Sequence, residues 1–200
     1  MSKSETIKFY DVNAQEYFES TVNINLDELY ESFLKHIPPK GNILDLGCGS
    51  GRDSLHFLNK GYNVISIDAS EEMVKLSSEL TKRKTIFMNI EEIDFHNEFD
   101  GIWACASLLH INKNLSESVF NILCNALKNK GILYASYKYG NGARILKKRY
   151  FNNYNETSIK KTIHNVKELN IIDHWVTNDL RPSKKNEKWL NIILSKNQTH

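Results

Sequence analysis

A doubly wound α/β fold is predicted by three observations along the 200 residues. Short apolar runs alternate with stretches of helical periodicity, a glycine-rich turn joins the first run to the next helix, and the rhythm changes beyond Lys138. An amphipathic stretch from about Lys8 to Ser20 carries Phe9, Tyr10, Ala14, Tyr17 and Phe18; a second, from Leu26 to His36, sets Leu26, Leu29, Phe33 and Leu34 at helical spacing. Pro38 and Pro39 end it, and Gly41 opens the next element. Asn42–Leu46, Asn63–Ile67, Thr85–Met88, Phe99–Ala104 and Ile132–Tyr137 read as buried parallel strands, with Lys130–Gly131 as a typical lead into the fifth. Arg52–Asn59, Glu71–Leu80 and Glu117–Leu127 read as the helices between them. A Tyr/Arg/Asn-rich segment then precedes a helix near Glu156–His164 and two strands, about Leu169–Val176 and Lys188–Ser195. Two closing strands after the fifth predict an antiparallel edge. Ligands of such sheets sit beyond the carboxyl ends of the strands, near the switch point after strand one.

Composition narrows the class. The chain is 40% hydrophobic and 25% charged with a net charge of +2, the profile of an ordinary globular domain. No Lys/Arg run demands a nucleic-acid partner. Cys48, Cys105 and Cys124 are odd in number and far apart, so neither a disulfide framework nor a metal site is expected. The polar N-terminus and the lack of a bilayer-length apolar run predict a reduced, cytoplasmic setting and no membrane partner.

The run Ile43–Leu44–Asp45–Leu46–Gly47–Cys48–Gly49–Ser50–Gly51 closes the first strand. Its glycines permit a tight turn and close backbone approach to a ligand. Asp45 would be badly placed beside a pyrophosphate, which speaks against a dinucleotide. Asp68 closes the second strand, where an acid accepts hydrogen bonds from ribose hydroxyls. Acid, glycine loop and second acid describe a nucleoside ligand without phosphates.

These residues resemble motif I of the class I S-adenosylmethionine-dependent methyltransferases, with Asp68 matching the family's ribose-binding acid. The run from Leu44 to Asp68 is similar to the small bacterial tellurite-resistance-type methyltransferases. Phe99–Ala104 matches the fourth-strand motif. Leu127–Lys128 with Gly131–Leu133 matches the turn before strand five, although Asn129 and Lys130 replace the usual Pro-Gly. Asn89 stands where the family carries an adenine-side acid. The resemblance implies a Rossmann-like, doubly wound seven-stranded sheet with an antiparallel last strand and an N-terminal helical lid. It implies a single domain over residues 1–200, divided into a lid (1–40), a cofactor-binding core (41–138) and an acceptor-side segment with the closing strands (139–200). It implies S-adenosylmethionine as cofactor, S-adenosylhomocysteine as product, and a cofactor site drawn from Tyr17, Asp45, Gly47, Cys48, Gly49, Gly51, Arg52, Asp68, Ala69, Met73, Asn89, Ile90 and Cys105. Within that set Arg52 suits the cofactor carboxylate, Cys48 suits packing, and the neighbouring Asp53 suits a first helical turn by dipole alone.

On the acceptor side, His110 is the general-base candidate because its unperturbed pKa lies near neutrality. Tyr137 and Arg149 complete the residues expected to touch the acceptor. Lys138, Arg149 and Arg181 suit an anionic acceptor, with Tyr134, Tyr139 and Tyr150 as walls; Arg144, Phe151, Asp179–Leu180–Arg181–Pro182, Glu187, Trp189 and Asn191 belong to the same cluster. Methyl transfer asks mainly for alignment, since a sulfonium is already a good leaving group. No Asn/Asp-Pro-Pro-aromatic tetrapeptide follows strand four, and neither a Pro-Cys nucleophile nor an RNA-binding module is present. A small-molecule acceptor is therefore expected and nucleic acid is disfavoured without being excluded. An RNA or protein acceptor, or a non-catalytic S-adenosylmethionine-binding module, are the alternatives. The sequence sets no oligomeric state.

Overall fold

The computed structural model describes residues 4–181 and 184–198. Its helices are α1 (Glu5–Val12), α2 (Ala14–Thr21), α3 (Asp27–Leu34), α4 (Arg52–Asn59), α5 (Glu71–Thr81), α6 (Ser116–Ala126) and α7 (Glu156–His164). Its strands are β1 (Asn42–Leu46), β2 (Asn63–Asp68), β3 (Ile86–Phe87), β4 (Phe99–Ala104), β5 (Leu127–Lys138), β6 (Gly142–Leu146), β7 (Arg149–Asn153), β8 (Leu169–Asn178) and β9 (Lys188–Lys196). Seven of them form one sheet in the order β3-β2-β1-β4-β5-β9-β8, while β6 and β7 make a separate hairpin. The first five strands run parallel, and β9 is antiparallel to both β5 and β8. The last strand of the chain is thus the antiparallel one, as expected, and it lies between β5 and the edge strand β8.

Strand alternation divides the side chains between two cores. On one face Leu44, Ile102, Leu133, Tyr137 and Ile192 pack with Phe120 and Leu123 of α6 and Ile159 and Ile163 of α7. On the other, Ile43, Trp103, Tyr134 and Ile193 pack with Tyr30 and Phe33 of α3 and Phe57 of α4. Trp103 stacks on Tyr134 at 4.0 Å between centroids.

Three expectations change. The stretch Lys8–Ser20 is two helices, broken at Asn13, whose side chain donates to the Phe9 carbonyl at 2.7 Å. Strand five begins at Leu127 rather than Ile132, and a register shift between Phe99 and Gly101 absorbs the extra residues. Lys130 adopts φ 64°, the conformation a glycine would take more readily. The Tyr/Arg/Asn-rich segment holds the β6–β7 hairpin, in which Ile145 pairs with Tyr150 across Lys147 and Lys148.

Two loop glycines are fixed by geometry. Gly47 has φ 69° and a Cβ there would lie 2.6 Å from Ser107 Cβ; Gly51 has φ 81° and a Cβ there would lie 3.0 Å from Ser77 Cα. Gly61 has a similar φ of 85° but open space around it. Gly51→Ala should therefore cost about 2–3 kcal/mol and Gly61→Ala about 1 kcal/mol. Chemical denaturation of both variants measures the difference, and equal losses would remove the packing argument.

Candidate active site

The glycine loop leaves β1 at the switch point between β2 and β4. The Gly47 and Cys48 amides donate to the Ile67 carbonyl at 2.9 and 3.0 Å, which ties the loop to the end of β2. There Asp68 accepts from the Gly49 amide through Oδ2 at 2.8 Å and from the Ser70 amide through Oδ1 at 2.9 Å. Burial raises the Asp68 pKa against these backbone hydrogen bonds. Ser70 caps α5 and donates to Asp11 Oδ1 at 2.7 Å, bringing α1 over the loop. A cavity of about 440 Å³ lies beneath.

Tyr17, Gly47, Cys48, Gly49, Arg52, Asp68, Ala69, Met73, Asn89, Ile90 and Cys105 all line this cavity. Asp45 and Gly51 do not. Asp45 is buried behind the loop and accepts from Ser54 Oγ at 2.5 Å; burial, with the charge of Asp53, pushes its carboxyl upward. Gly51 serves the close approach of α5. Cys48 packs there too, its thiol donating to Ser77 Oγ at 3.4 Å and pushed up by burial.

A second cavity, of about 950 Å³, adjoins the first. Tyr10, Tyr17, Arg52, Cys105, Ala106 and His110 line both. Ala106 holds φ 56° at this shared wall, and its amide donates to Ser136 Oγ at 2.8 Å. Asp53 does more than complement a helix dipole: it accepts from Arg52 Nε at 2.6 Å, Arg52 Nη2 at 3.0 Å, Tyr30 Oη at 2.5 Å and Trp103 Nε1 at 2.8 Å. Burial opposes its charge, but these donors hold its pKa below the usual carboxylate value.

His110 sits at the junction with both ring nitrogens engaged. Nδ1 faces the Tyr150 carbonyl at 2.7 Å and therefore carries the proton, leaving Nε2 to accept from Tyr10 Oη at 2.8 Å. Tyr137 lines neither cavity. It points to the opposite face of β5 and packs against Tyr154, because Tyr134, Ser136 and Lys138 take the cavity side of the alternation. Arg149 lines the larger cavity, its guanidinium 4.3 Å from the Phe9 ring centroid. Lys138 is held by Asp179 at 2.8 Å and Glu187 at 2.5 Å, and Arg181 by Asp179 at 2.6 Å. Pro182 lies outside the described residues.

Comparison with known proteins meets this geometry at its centre. A family model described as a methyltransferase domain matches residues 43–131, from β1 through the start of β5. Residues 43–131 are thus similar to a methyltransferase domain. YqeM of Bacillus subtilis, named as a methyltransferase, is 34% identical over 104 residues, covering 48% of this chain and 42% of its own length. The match thus spans less than half of that relative. An uncharacterized methyltransferase of Staphylococcus carnosus is 25% identical over 82% of this chain and 88% of its own. Among solved structures, the 1,6-didemethyltoxoflavin-N1-methyltransferase of Burkholderia thailandensis superposes with a TM-score of 0.77 at 18% identity, covering 96% of this chain and 85% of the other. The phosphoethanolamine N-methyltransferase 2 of Haemonchus contortus superposes with a TM-score of 0.74 at 16% identity, over 98% of this chain and 61% of the other. At these identities the structures share the fold.

The site holds residues that the sequence left unassigned: Tyr10 as the partner of His110, Asp53 as the anchor of Arg52, and Ser107, whose buried hydroxyl lacks a partner on the wall of the smaller cavity. Burial lowers the His110 pKa to about 4 from 6.5, against the Tyr150 hydrogen bond and with the Arg149 charge adding to the fall. His110 is thus neutral at pH 7. A depressed histidine pKa gives stability that is present above the unfolded value and lost as pH falls from about 6.5 through about 4. Thermal melting should drop over that window, and His110→Gln should flatten the drop; an unchanged pH profile in the variant would contradict the assignment.

Proposed function

We propose that the chain is an S-adenosylmethionine-dependent methyltransferase that alkylates a small-molecule nucleophile by in-line displacement. The observation that carries this is the meeting of two cavities at one wall, a cofactor-sized space beside the glycine loop and Asp68, and a larger one beyond His110 and Tyr10. The residues present fit the cofactor. Each Asp68 oxygen accepts one of the backbone bonds described above and keeps a lone pair for a ribose hydroxyl. The Ser107 hydroxyl is buried without a partner, and the bare Cα of Gly49 leaves open the space before Tyr17. Met73, Asn89 and Ile90 would border the base, and Arg52, fixed by Asp53 and by the Thr21 carbonyl at 3.2 Å, would face the methionine carboxylate. When bound, the cofactor supplies a methyl group activated on a sulfonium.

The chain's own residues align the acceptor and handle its proton. Nε2 of His110 is covered by Tyr10, so an acceptor reaches the phenol first. An acceptor O–H or N–H donates to Tyr10 Oη while the phenol proton passes to His110 Nε2. The neutral histidine, held by Tyr150, keeps that path in one direction. The large second cavity and the small-molecule ligands named with the Burkholderia and Haemonchus structures support a small acceptor here too. The tellurite-resistance-type likeness rests on residues 44–68, which lie in the cofactor half. Three free cysteines suit a reducing, cytoplasmic setting.

Methyl-labelled S-adenosylmethionine incubated with the protein and a fractionated cell extract tests the proposal. Label should enter the low-molecular-mass fraction, and Tyr10→Phe and His110→Ala should each slow it by roughly 10²-fold if the proton moves in the transition state. Label in RNA or protein, or cofactor binding without turnover on any fraction, would replace the proposal by one of its alternatives.

A further inference from the structure

The β6–β7 hairpin places its side chains in two rows. Arg144 pairs with Phe151 and Leu146 with Arg149, so these four share one face, and all four line the larger cavity. Four other cations that line the larger cavity are neutralised where they stand. Lys138 lies between Asp179 and Glu187 and over the Trp189 ring at 3.9 Å; Arg181 is paired with Asp179; Lys184 is paired with Glu187 at 2.8 Å; Arg52 is paired with Asp53. Arg144 and Arg149 make no salt bridge among the described residues. Arg149 goes further: its Nε is buried and has no hydrogen-bond partner. Phe9, Tyr10 and Phe151 surround the guanidinium at 4.3, 5.8 and 5.2 Å. Aromatic faces hold a cation in place without supplying a counter-ion. Arg149 is half-buried with no counter-ion, and an oxyanion taken bidentately would supply one.

We propose that the methyl acceptor is an oxyanion, a carboxylate or phosphate compound, seated on Arg149 and Arg144 with its body against the hairpin's inward face. This rests on the methyltransferase proposal, whose acceptor it specifies. Leu146, Val176 and Leu180 are partly exposed while lining the same cavity, and they suit an apolar body. The seat lies beside Tyr10, so an anion held there is brought up to the Tyr10–His110 pair. The same anion offsets the charge with which Arg149 disfavours protonation of His110.

Calorimetric titration with benzoate, phenyl phosphate and neutral benzyl alcohol tests the proposal, on the protein alone and loaded with S-adenosylhomocysteine. At least one oxyanion should bind about tenfold or more tightly than benzyl alcohol. Arg149→Gln should abolish that preference, Arg149→Lys should restore part of it as a point charge without the fork, and Arg144→Gln, on an exposed side chain, should weaken it. S-adenosylhomocysteine affinity should be the same in all four proteins, since neither arginine lines the smaller cavity. Preference for benzoate assigns a carboxylic acid, and preference for phenyl phosphate a phosphomonoester. Equal binding of the neutral probe, a preference that survives Arg149→Gln, or no oxyanion binding at millimolar concentration overturns the proposal. Loss of S-adenosylhomocysteine binding alone would instead strike the cofactor assignment, because the oxyanion titration on the unloaded protein is scored separately.

Discussion

The carboxylate of Asp53 is the contact through which the glycine loop, the aromatic core and the N-terminal helices are joined. It is buried, and a buried charge is tolerated only when its lone pairs are filled. Here Arg52, Tyr30 and Trp103 fill them. Tyr30 brings α3 to the site, Trp103 brings the centre of the sheet, and Arg52 reaches on to the Thr21 carbonyl at the end of α2. Removing one partner from such a set costs about 3–5 kcal/mol, since the others are left buried and unpaired. The same arrangement fixes Arg52 on the wall shared by the two cavities, so a device of stability is also a device of position.

The roof of the site is built from segments far apart in sequence. Helix α1 and the β6–β7 hairpin meet where Tyr150 donates its amide to Thr6 Oγ1 at 3.0 Å and where Arg149 lies over Phe9. His110 reaches the roof twice, through Tyr10 on the helix and through the Tyr150 carbonyl on the hairpin. A histidine whose two nitrogens bind two separate roof elements reports on whether both are in place.

The glycine loop was legible because its physics is local. Asp45 to Gly51 and Asp68 lie at strand ends, and a tight turn there requires glycine whatever the rest of the chain does. The acceptor half was less so. Tyr137 looked like a wall residue by type, yet the two-residue period of β5 sends it to the other core and gives the cavity to Ser136 and Lys138 instead. The hairpin gave no signal because its turn is Lys147–Lys148, both at positive φ, where Asn-Gly or Asp-Gly is the usual mark. Lys138 reads as an anion binder, yet Asp179 and Glu187, some 40 to 50 residues away, are its partners. Long-range pairing of this kind has no period or spacing to betray it.

The most direct measurement is a crystal structure of the protein with S-adenosylhomocysteine. The nucleoside is expected in the smaller cavity, with both ribose hydroxyls on Asp68 and the sulfur beside the wall formed by Tyr10, Cys105 and His110. Density for the ligand elsewhere, or a ribose that makes no contact with Asp68, would contradict that placement.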